Sequence, residues 1–403
     1  MTVRGDVGVD RPEDQPPAEP PARRTSRRRF WLRRIAVLVA IVLLWLTWSV
    51  GGALTAPGTD TTAARLAEWG RFHGLGWAVT YLEEVQYKAD PPKVGGNLAG
   101  GIPRIAPNRP PTKAPNRPAA KAPPKPPTSL ALPATIPSQA HPALSDEGTW
   151  QSLLSLHGQP AIQAAFLRPD SQHTSYLVGV AWLNQKLVKT TLHPGYKVPG
   201  NSGLSQVSEV PRSQRDTLLA TFNSGFTMVD SNGGYWQDGT SVVALRPGAA
   251  SMVFYKDGRL DVARWDGGTP GPDVAAVRQN LDLLVDKGVI NPSVDSTTTA
   301  VWGVTLGNKT YVWRSAVGVR KDGSLVFVVG ASMSVRTLAN IAHDAGAERA
   351  MELDINPAWT NFMTYTHPSK GVAVPHMLSK DTQPNPYRYL QPSSRDFVAV
   401  FPR

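Results

Sequence analysis

The sequence predicts an α+β fold, a mixed, strand-rich domain with a few helices that follows one transmembrane helix and a proline-rich linker. Three observations predict this fold class. Short apolar runs, separated by turns that contain Gly, Asn or Asp, recur from about residue 141 onward and are typical of strands. Residues 335–345 have the apolar spacing of a helix. Residues 35–54 form an uncharged apolar stretch ahead of the domain.

The composition excludes several classes of site. The chain has no cysteine, which rules out disulfides, thiolate nucleophiles and cysteine-bound metals. The formal net charge is +11, but residues 91–137 contribute seven Lys or Arg and no acid, and residues 138–403 are nearly neutral. We therefore expect no nucleic-acid partner. The histidines are scattered and no HExxH, Walker or GxGxxG motif occurs, so we expect no metal site or cofactor, although a divalent cation is not excluded.

The N-terminal residues predict a membrane anchor. Residues 1–34 are polar and end in an arginine cluster, which is typical of a disordered basic tail. The apolar stretch over residues 35–54 would span roughly 30 Å as a helix, enough to cross a bilayer. The arginines predict a cytoplasmic N-terminus and a C-terminal domain outside the cell membrane. A cleaved signal peptide is the alternative, with Ala53 to Ala56 as the cleavage site, but its apolar region would be unusually long.

Two segments separate the predicted anchor from the domain. Residues 55–90 predict a membrane-proximal helical segment in which Thr61 or Thr62 is the N-cap. This segment could be an amphipathic hairpin at the membrane or a dimerising stalk. Residues 91–140 predict a Pro/Lys-rich linker, because fourteen prolines fall within residues 91–137 and favour an extended spacer. Its positive charge could also contact an anionic wall polymer or lipid head groups.

Residues 141–403 are expected to form the folded domain. Val274–Asp286 has helical apolar spacing with Gly288 just beyond it, and Gly307-Asn308-Lys309 predicts a hairpin turn. Strand, helix and strand over residues 325–355 predict a βαβ unit, whose sites form beyond the carboxyl ends of its strands. The other predicted strands are 175–183, 187–192, 217–222, 241–245, 251–255, 260–265, 301–306 and 310–313.

A pair of carboxylates occurs at the end of the last strand of this βαβ unit. Glu352 and Asp354 are two residues apart on a strand, so both side chains point to one face. Two carboxylates at such spacing can differ in pKa and divide acid and base roles, as glycoside hydrolysis usually requires. The pair is also a common chance occurrence.

Two further polar segments follow apolar strands. Arg314 comes after the run Tyr311 to Trp313 and could bind a phosphate in a bidentate manner or form a surface salt bridge. Asn223, Ser224 and Gly225 end another strand, where they could bind ligand oxygens or simply form the turn. Trp359, near Asp354, could stack on a sugar or pack in the core.

Taken together, these segments resemble the phosphodiester glycosidase family, which includes enzymes that remove N-acetylglucosamine from phosphodiester-linked mannose. The family carries an N-G-G-F segment, here Asn223 to Phe226, and an R-[ST]-A-[IV]-G segment before a K-D-G turn, here Arg314 to Gly318 and Lys321 to Gly323. A helix then leads into L-D-G-G-G-S, here beginning at Leu353-Asp354. The order and spacing fit over roughly residues 165–400.

The sequence departs from the family pattern directly after Asp354. In place of the glycines and serine, this chain has Ile355-Asn356-Pro357-Ala358-Trp359. Ile and Pro cannot supply the backbone contacts that glycines would make to a phosphate. We expect Asn356, Trp359 and Asn361 to form a replacement surface.

The resemblance implies a membrane-anchored, extracytoplasmic hydrolase that cleaves a sugar from a phosphodiester-linked glycan or cell-envelope polymer. Asp354 would be the main catalytic carboxylate and Glu352 its partner. Arg314 would hold the phosphate, and Asn223 would hydrogen-bond to sugar or phosphate oxygens. Two alternatives are a non-catalytic glycan-binding module and a structural envelope protein that binds another protein.

Overall fold

A computed structural model describes most of the chain, namely residues 25–105, 130–200, 203–296, 299–303, 310–382 and 385–403. Most of the predicted tail, the centre of the predicted linker and the predicted turn over residues 307–309 lie outside these residues. The described chain divides into two compact units, one ending at Thr55 and the other beginning at Ala56.

In the described residues of the first unit, 25–55, the chain forms one helix, α1 (Thr25–Leu54). Its 27-residue segment Arg28–Leu54 is long and apolar enough to cross a membrane, and a signal sequence near the N-terminus would satisfy the same criteria. Large side chains such as Leu44 and Trp48 are exposed, at 72% and 77%. The predicted apolar helix is therefore confirmed.

The second unit is rich in strands, as predicted. Its strands are β1 (Gln151–Leu156), β2 (Gln159–Leu167), β3 (Val178–Leu183), β4 (Val188–His193), β5 (Ala220–Asn223), β6 (Tyr235–Gln237), β7 (Thr240–Val243), β8 (Ala250–Tyr255), β9 (Leu260–Arg264), β10 (Val274–Gln279), β11 (Leu283–Asp286), β12 (Val289–Ile290), β13 (Val312–Arg320), β14 (Leu325–Met333), β15 (Ala347–Glu352), β16 (Phe362–Ser369), β17 (Val372–Met377) and β18 (Phe397–Pro402). Its helices are α2 (Thr62–Phe72), α3 (Gly76–Ala89), α4 (Thr299–Trp302) and α5 (Val335–Asp344).

These strands form three sheets within the described residues. The largest has the order β1-β2-β3-β14-β13-β15-β11-β12, and the others are β7-β6-β10-β8-β9 and β17-β16-β5-β18-β4. One apolar core cluster contains side chains from all three sheets, including Phe222, Phe254 and Phe327. Because the sheets share this core, the end of β5 in one sheet is brought close to β13 and β15 in another.

The predicted βαβ unit is confirmed, with one strand inserted into it. β14 and β15 each pair with β13 in antiparallel fashion, so they run parallel to each other on either side of it. α5 connects them and begins at Ser334, whose side chain accepts a hydrogen bond from the Thr337 N–H. Leu338 and Ile341 are fully buried on its inner face. The carboxyl ends of β14 and β15 therefore meet the start of β13 at one edge.

Two local predictions are wrong. Val274–Asp286 is not a helix, because β10 and β11 occupy it and pair with β8 and β15. Leu281 lies between these strands in the left-handed region, with φ of 53°, which breaks any helix. In the predicted strand over residues 301–306, Val301 and Trp302 belong instead to α4, and residues 304–306 lie outside the described part of the chain.

Residues 56–105 belong to the second unit and pack against the domain. Thr61 caps α2, as the sequence predicts, by accepting a hydrogen bond from the Ala64 N–H. Asp60 accepts hydrogen bonds from Arg388 (3.2 Å) and Ser394 (2.6 Å). Further along, the Gly95 N–H donates to the Gln172 carbonyl at 2.6 Å. The segment ahead of residue 106 is thus fixed to the domain by specific polar contacts.

Candidate active site

Asp354 lies just beyond β15, where its backbone joins two sheets. Its N–H donates to the Ser224 carbonyl at 3.0 Å, and its own carbonyl accepts from the Ser315 hydroxyl at 2.7 Å. The neighbouring Leu353 N–H donates to the Ser315 carbonyl at 2.8 Å. These bonds fix the carboxylate's attachment point between the end of β5 and the start of β13.

Burial controls the protonation of Asp354, which is only 4% exposed. Loss of hydration raises the pKa of its carboxyl to about 6, and the charge of Asp396 acts in the same direction. The charge of Arg395, 4.0 Å from Oδ2, and the Asn356 N–H, 2.9 Å from Oδ1, oppose this rise. Asp354 can therefore exchange a proton near neutral pH.

Glu352 and Arg314 form a buried ion pair. Arg314 Nη1 lies 2.5 Å from Glu352 Oε1, and the side chains are 1% and 0% exposed. The other guanidinium bonds go to the carbonyls of Met333 (2.8 Å) and Thr310 (3.4 Å). Burial raises the pKa of Glu352, although Arg314 acts against this rise. Glu352 Oε2 is buried and has no hydrogen-bond partner among the described residues.

The Asn223-Ser224-Gly225 segment contacts the backbone around Asp354. Asn223 Nδ2 donates to the Ser224 carbonyl and the Ser315 hydroxyl, both at 2.9 Å, and its Oδ1 accepts from the Asn361 N–H at 3.0 Å. The Ser224 hydroxyl is buried and forms no hydrogen bond within the described part of the chain. A Cβ at Gly225 would lie 2.9 Å from the Asn280 side chain, so this close approach requires glycine.

Three buried residues near the site are not predicted from the sequence. They are Arg278 in β10, Asn280 just after β10 and Asp396 just before β18. Asn280 accepts from the Phe226 N–H at 3.2 Å and donates to the Glu352 carbonyl at 2.8 Å. Arg278 donates to Asp396 at 2.7 Å, and both side chains are completely buried. Arg278 and Asn280 lie in the segment that was predicted to be a helix, where no local signal marked them.

Arg395 is the fourth missed residue and reaches the Asp354 carboxylate from the other side. Its Nε donates to Glu68 of α2 at 2.9 Å, and its guanidinium lies 5.0 Å from the centre of the Trp359 ring. Arg388 lies over the same ring at 4.8 Å. Arg395 Nη1 is buried, and no described residue forms a hydrogen bond with it. The guanidinium groups of two arginines thus lie over the Trp359 ring.

A cavity of about 310 Å³ opens beside Asp354. Asp354, Asn356 and Arg395 line it, whereas Asn223, Ser224, Gly225, Arg314, Glu352 and Trp359 are not among its lining residues. Aromatic side chains from the domain form much of the wall, including Tyr176, Tyr311 and Trp313. Arg71, Glu83 and Tyr87 of α2 and α3 complete it.

Metal ligands are not gathered here. In the described part of the chain, no group of three or more His, Asp or Glu side chains is arranged to hold a metal ion. The charges that face Asp354 come from Arg395 and Asp396.

The comparison with protein families concerns the segment that carries these residues. Residues 216–354 match the family model of the phosphodiester glycosidases. The predicted family resemblance is confirmed. The matched segment includes Asn223, Arg314 and Glu352 and ends at Asp354, after which the sequence departs from the family pattern. No curated protein matches the chain.

Several solved structures are similar to the chain. The zebrafish N-acetylglucosamine-1-phosphodiester alpha-N-acetylglucosaminidase catalytic domain, auto-inhibited by its pro-peptide, is 18% identical, with 62% of this chain and 87% of that chain covered and a TM-score of 0.39. A hypothetical protein from Synechocystis is 13% identical, with coverages of 61% and 63% and a TM-score of 0.34. A putative exported protein from Burkholderia pseudomallei is 13% identical, with coverages of 58% and 76% and a TM-score of 0.30.

Proposed function

We propose that the second unit hydrolyses a sugar phosphodiester by breaking the bond between the anomeric carbon and the phosphate oxygen. The observation that carries this proposal is the meeting of one carboxylate and one guanidinium, from Asp354 and Arg395, at the wall of a single cavity. A cation beside a carboxylate suits an anionic diester whose sugar is attacked from the carboxylate's side.

Asp354 is proposed to act in its ionised form. With a pKa of about 6, its carboxylate is available at neutral pH and still basic enough to accept a proton from an attacking water. The water oxygen bonds to the anomeric carbon, its proton passes to Asp354, and the phosphate leaves as a phosphomonoester with the bonding electrons. Since phosphate is a good leaving group, a separate general acid is not required.

Arg395 is proposed to contact the phosphate. Its Nη1 has no hydrogen-bond partner in the part of the chain that the structure describes, whereas the bonds of Arg314 already go to Glu352 and two carbonyls. The phosphate role predicted for Arg314 would require one of these bonds to be exchanged. We therefore assign Glu352 as a partner of Asp354 that acts through Arg314, by holding the ends of β13 and β15 together.

The remaining predicted residues are proposed to position or bind the sugar. Asn223, Ser224 and Gly225 hold the backbone of Asp354, as their hydrogen bonds and close packing indicate. Asn356 lines the cavity and would donate to a sugar hydroxyl. Trp359 supports Arg395 by ring contact.

We also propose that α1 is an uncleaved single-pass anchor with its N-terminus in the cytoplasm. The second unit would then act outside the cell membrane, on a phosphodiester-linked glycan or a cell-envelope polymer. The arginines ahead of the apolar stretch support this orientation.

The bond that breaks can be identified with ¹⁸O-labelled water and a chromogenic sugar phosphodiester. If the proposal is right, the full-length protein releases sugar that carries the label and phosphomonoester that does not. Label in the phosphate instead would show attack at phosphorus and would make the protein a phosphodiesterase.

A second candidate function is favoured by the departure at Ile355 to Trp359, which replaces the family's glycines. On this alternative the cavity binds a glycan without cleaving it. Calorimetric titration with the same phosphodiester distinguishes the two, since saturable binding with no release of sugar supports the non-catalytic module.

A further inference from the structure

The helices α2 and α3 present a large apolar face to the outside of the second unit. On α3, Trp77, Tyr81 and Leu82 are 74%, 63% and 66% exposed. Val85 on the same helix and Phe72 at the end of α2 are also exposed. Scattered apolar side chains are ordinary on a surface, but a contiguous group of this size marks an interaction site.

The exposed residues form one face because of their helical spacing. Trp77, Tyr81 and Val85 follow one another at intervals of four residues, and Leu82 lies beside them. Glu83 and Tyr87 are half-buried on the opposite face of α3. This is the reverse of a normal amphipathic surface helix, whose apolar face packs on the core.

Polar contacts hold the hairpin to the domain in this orientation. Glu68 of α2 pairs with Arg395 at 2.9 Å and with Lys197 at 3.4 Å. On α3, the Tyr87 hydroxyl donates to the Tyr311 carbonyl at 3.2 Å. The exposure of the apolar face is therefore not the result of a loose attachment of the hairpin. The contacts of Glu68 and Tyr87 hold the hairpin to the domain and leave this face directed outward.

The position of the hairpin in the chain indicates what covers this face. Only seven residues separate Leu54, the end of α1, from Thr62, the start of α2. Such a connection reaches at most roughly 30 Å. This connection is short enough to keep the hairpin within reach of the surface of any membrane that α1 crosses. Trp and Tyr side chains, such as those of Trp77 and Tyr81, favour the membrane–water interface.

We propose that Phe72, Trp77, Tyr81, Leu82 and Val85 bind the surface of the lipid bilayer. This inference rests on the proposed anchoring by α1 but not on the proposed chemistry. The same hairpin supplies Arg71, Glu83 and Tyr87 to the cavity wall. Docking on the bilayer would place the cavity behind the hairpin, about one helix diameter (about 10 Å) from the lipid surface, so the substrate class becomes a sugar phosphodiester carried at the membrane surface.

The absence of cysteine makes the test direct, since each introduced cysteine is the only one in the chain. Full-length Leu82→Cys and Trp77→Cys proteins carry a nitroxide label in vesicles of phosphatidylcholine and phosphatidylglycerol. Electron paramagnetic resonance then compares collisions with oxygen, which enters lipid, and with a water-soluble nickel chelate. Leu44→Cys reports on α1, and Val289→Cys, on β12 and 66% exposed, is the water-facing control.

The expected result is that labels at positions 77 and 82 collide more with oxygen than with the nickel chelate, whereas the label at 289 does the reverse. Nickel accessibility at 77 and 82 equal to that at 289 would overturn the proposal. Protection from both agents would also overturn it, by showing a protein partner or second copy. A water-exposed label at position 44 would instead contradict the anchor itself.

Discussion

Asp354 carries a charge that its surroundings do not favour, and the protein's stability should reflect this. Its pKa rises from an ordinary 3.8 to about 6 because the carboxyl is buried. The folded state therefore binds a proton that the unfolded state has released, and the free energy of unfolding falls as pH rises from about 4 to about 6. We expect Asp354→Asn to stabilise the protein at pH 7 by at most about 3 kcal/mol.

The measurement is chemical denaturation of both proteins in detergent micelles between pH 3.5 and 8, a range chosen to bracket the two pKa values. The stabilisation should vanish below about pH 4, where the carboxyl is protonated in both states. A substituted protein that is equally stable or less stable at pH 7 would show that the carboxylate is well compensated where it lies.

Glu68 should tune the same carboxylate from α2. It binds Arg395 at 2.9 Å and so keeps that guanidinium 4.0 Å from Asp354. In Glu68→Gln, the positive charge of Arg395 is less neutralised and lowers the pKa of Asp354. The rising limb of the pH–rate profile should then move to lower pH.

The matched control is Glu84→Gln, which changes a carboxylate of α3 that pairs with Lys88 at the surface. Its pH–rate profile should overlay that of the unmodified protein. An unshifted limb in Glu68→Gln would contradict the proposed link between α2 and the reacting carboxylate.

Among the structural elements, β10 and β18 are joined by the buried pair of Arg278 and Asp396, at 2.7 Å. Removal of one partner leaves the other charge buried and unpaired. We expect Arg278→Ala to lower the free energy of unfolding by about 3–5 kcal/mol. Arg336→Ala on α5 removes an exposed pair with Asp295 and should cost about 1 kcal/mol or less. Equal effects of the two changes, measured by urea denaturation, would refute this difference.

The elements differ in how far the sequence predicts them. α5 is predictable because its cap, Ser334, and its apolar spacing are local signals. β10 and β11 are misread as a helix because burial on both strand faces, as at Val277 and Leu284, imitates helical spacing. Two features distinguish these strands from a helix, namely the left-handed backbone of Leu281 and the pairing with β8 and β15. Both features depend on tertiary structure.

The residues of the candidate site also differ in how far the sequence predicts them. Glu352 and Asp354 lie at the end of an apolar strand, as the sequence predicts, whereas Arg314 lies near the start of β13 and does not follow a strand. Arg395 and Glu68 are 327 residues apart and neither belongs to a recognisable motif. Arg395 and Asp396 do precede the apolar strand over residues 397–401, and charged residues at such a strand end are the one signal that could have identified them.

For the whole molecule, the proposed anchoring by α1 would determine where the second unit works. We expect the full-length protein to stay in the membrane after alkaline carbonate extraction. Mass spectrometry of the N-terminus should find residues 1–54 still attached. A mature protein that begins near Ala56 would show that this helix is a signal sequence and would remove the basis of the bilayer contact.

Asp354 is proposed to carry out hydrolysis at the cavity wall. This role is tested by measuring kcat/KM for a chromogenic sugar phosphodiester with the unmodified protein, Asp354→Asn and Asp295→Asn. The last of these removes an exposed carboxylate on the surface. We expect turnover by the unmodified protein and by Asp295→Asn, and a kcat/KM that is roughly a thousandfold lower in Asp354→Asn. Turnover by Asp354→Asn within tenfold of the unmodified protein would contradict this role.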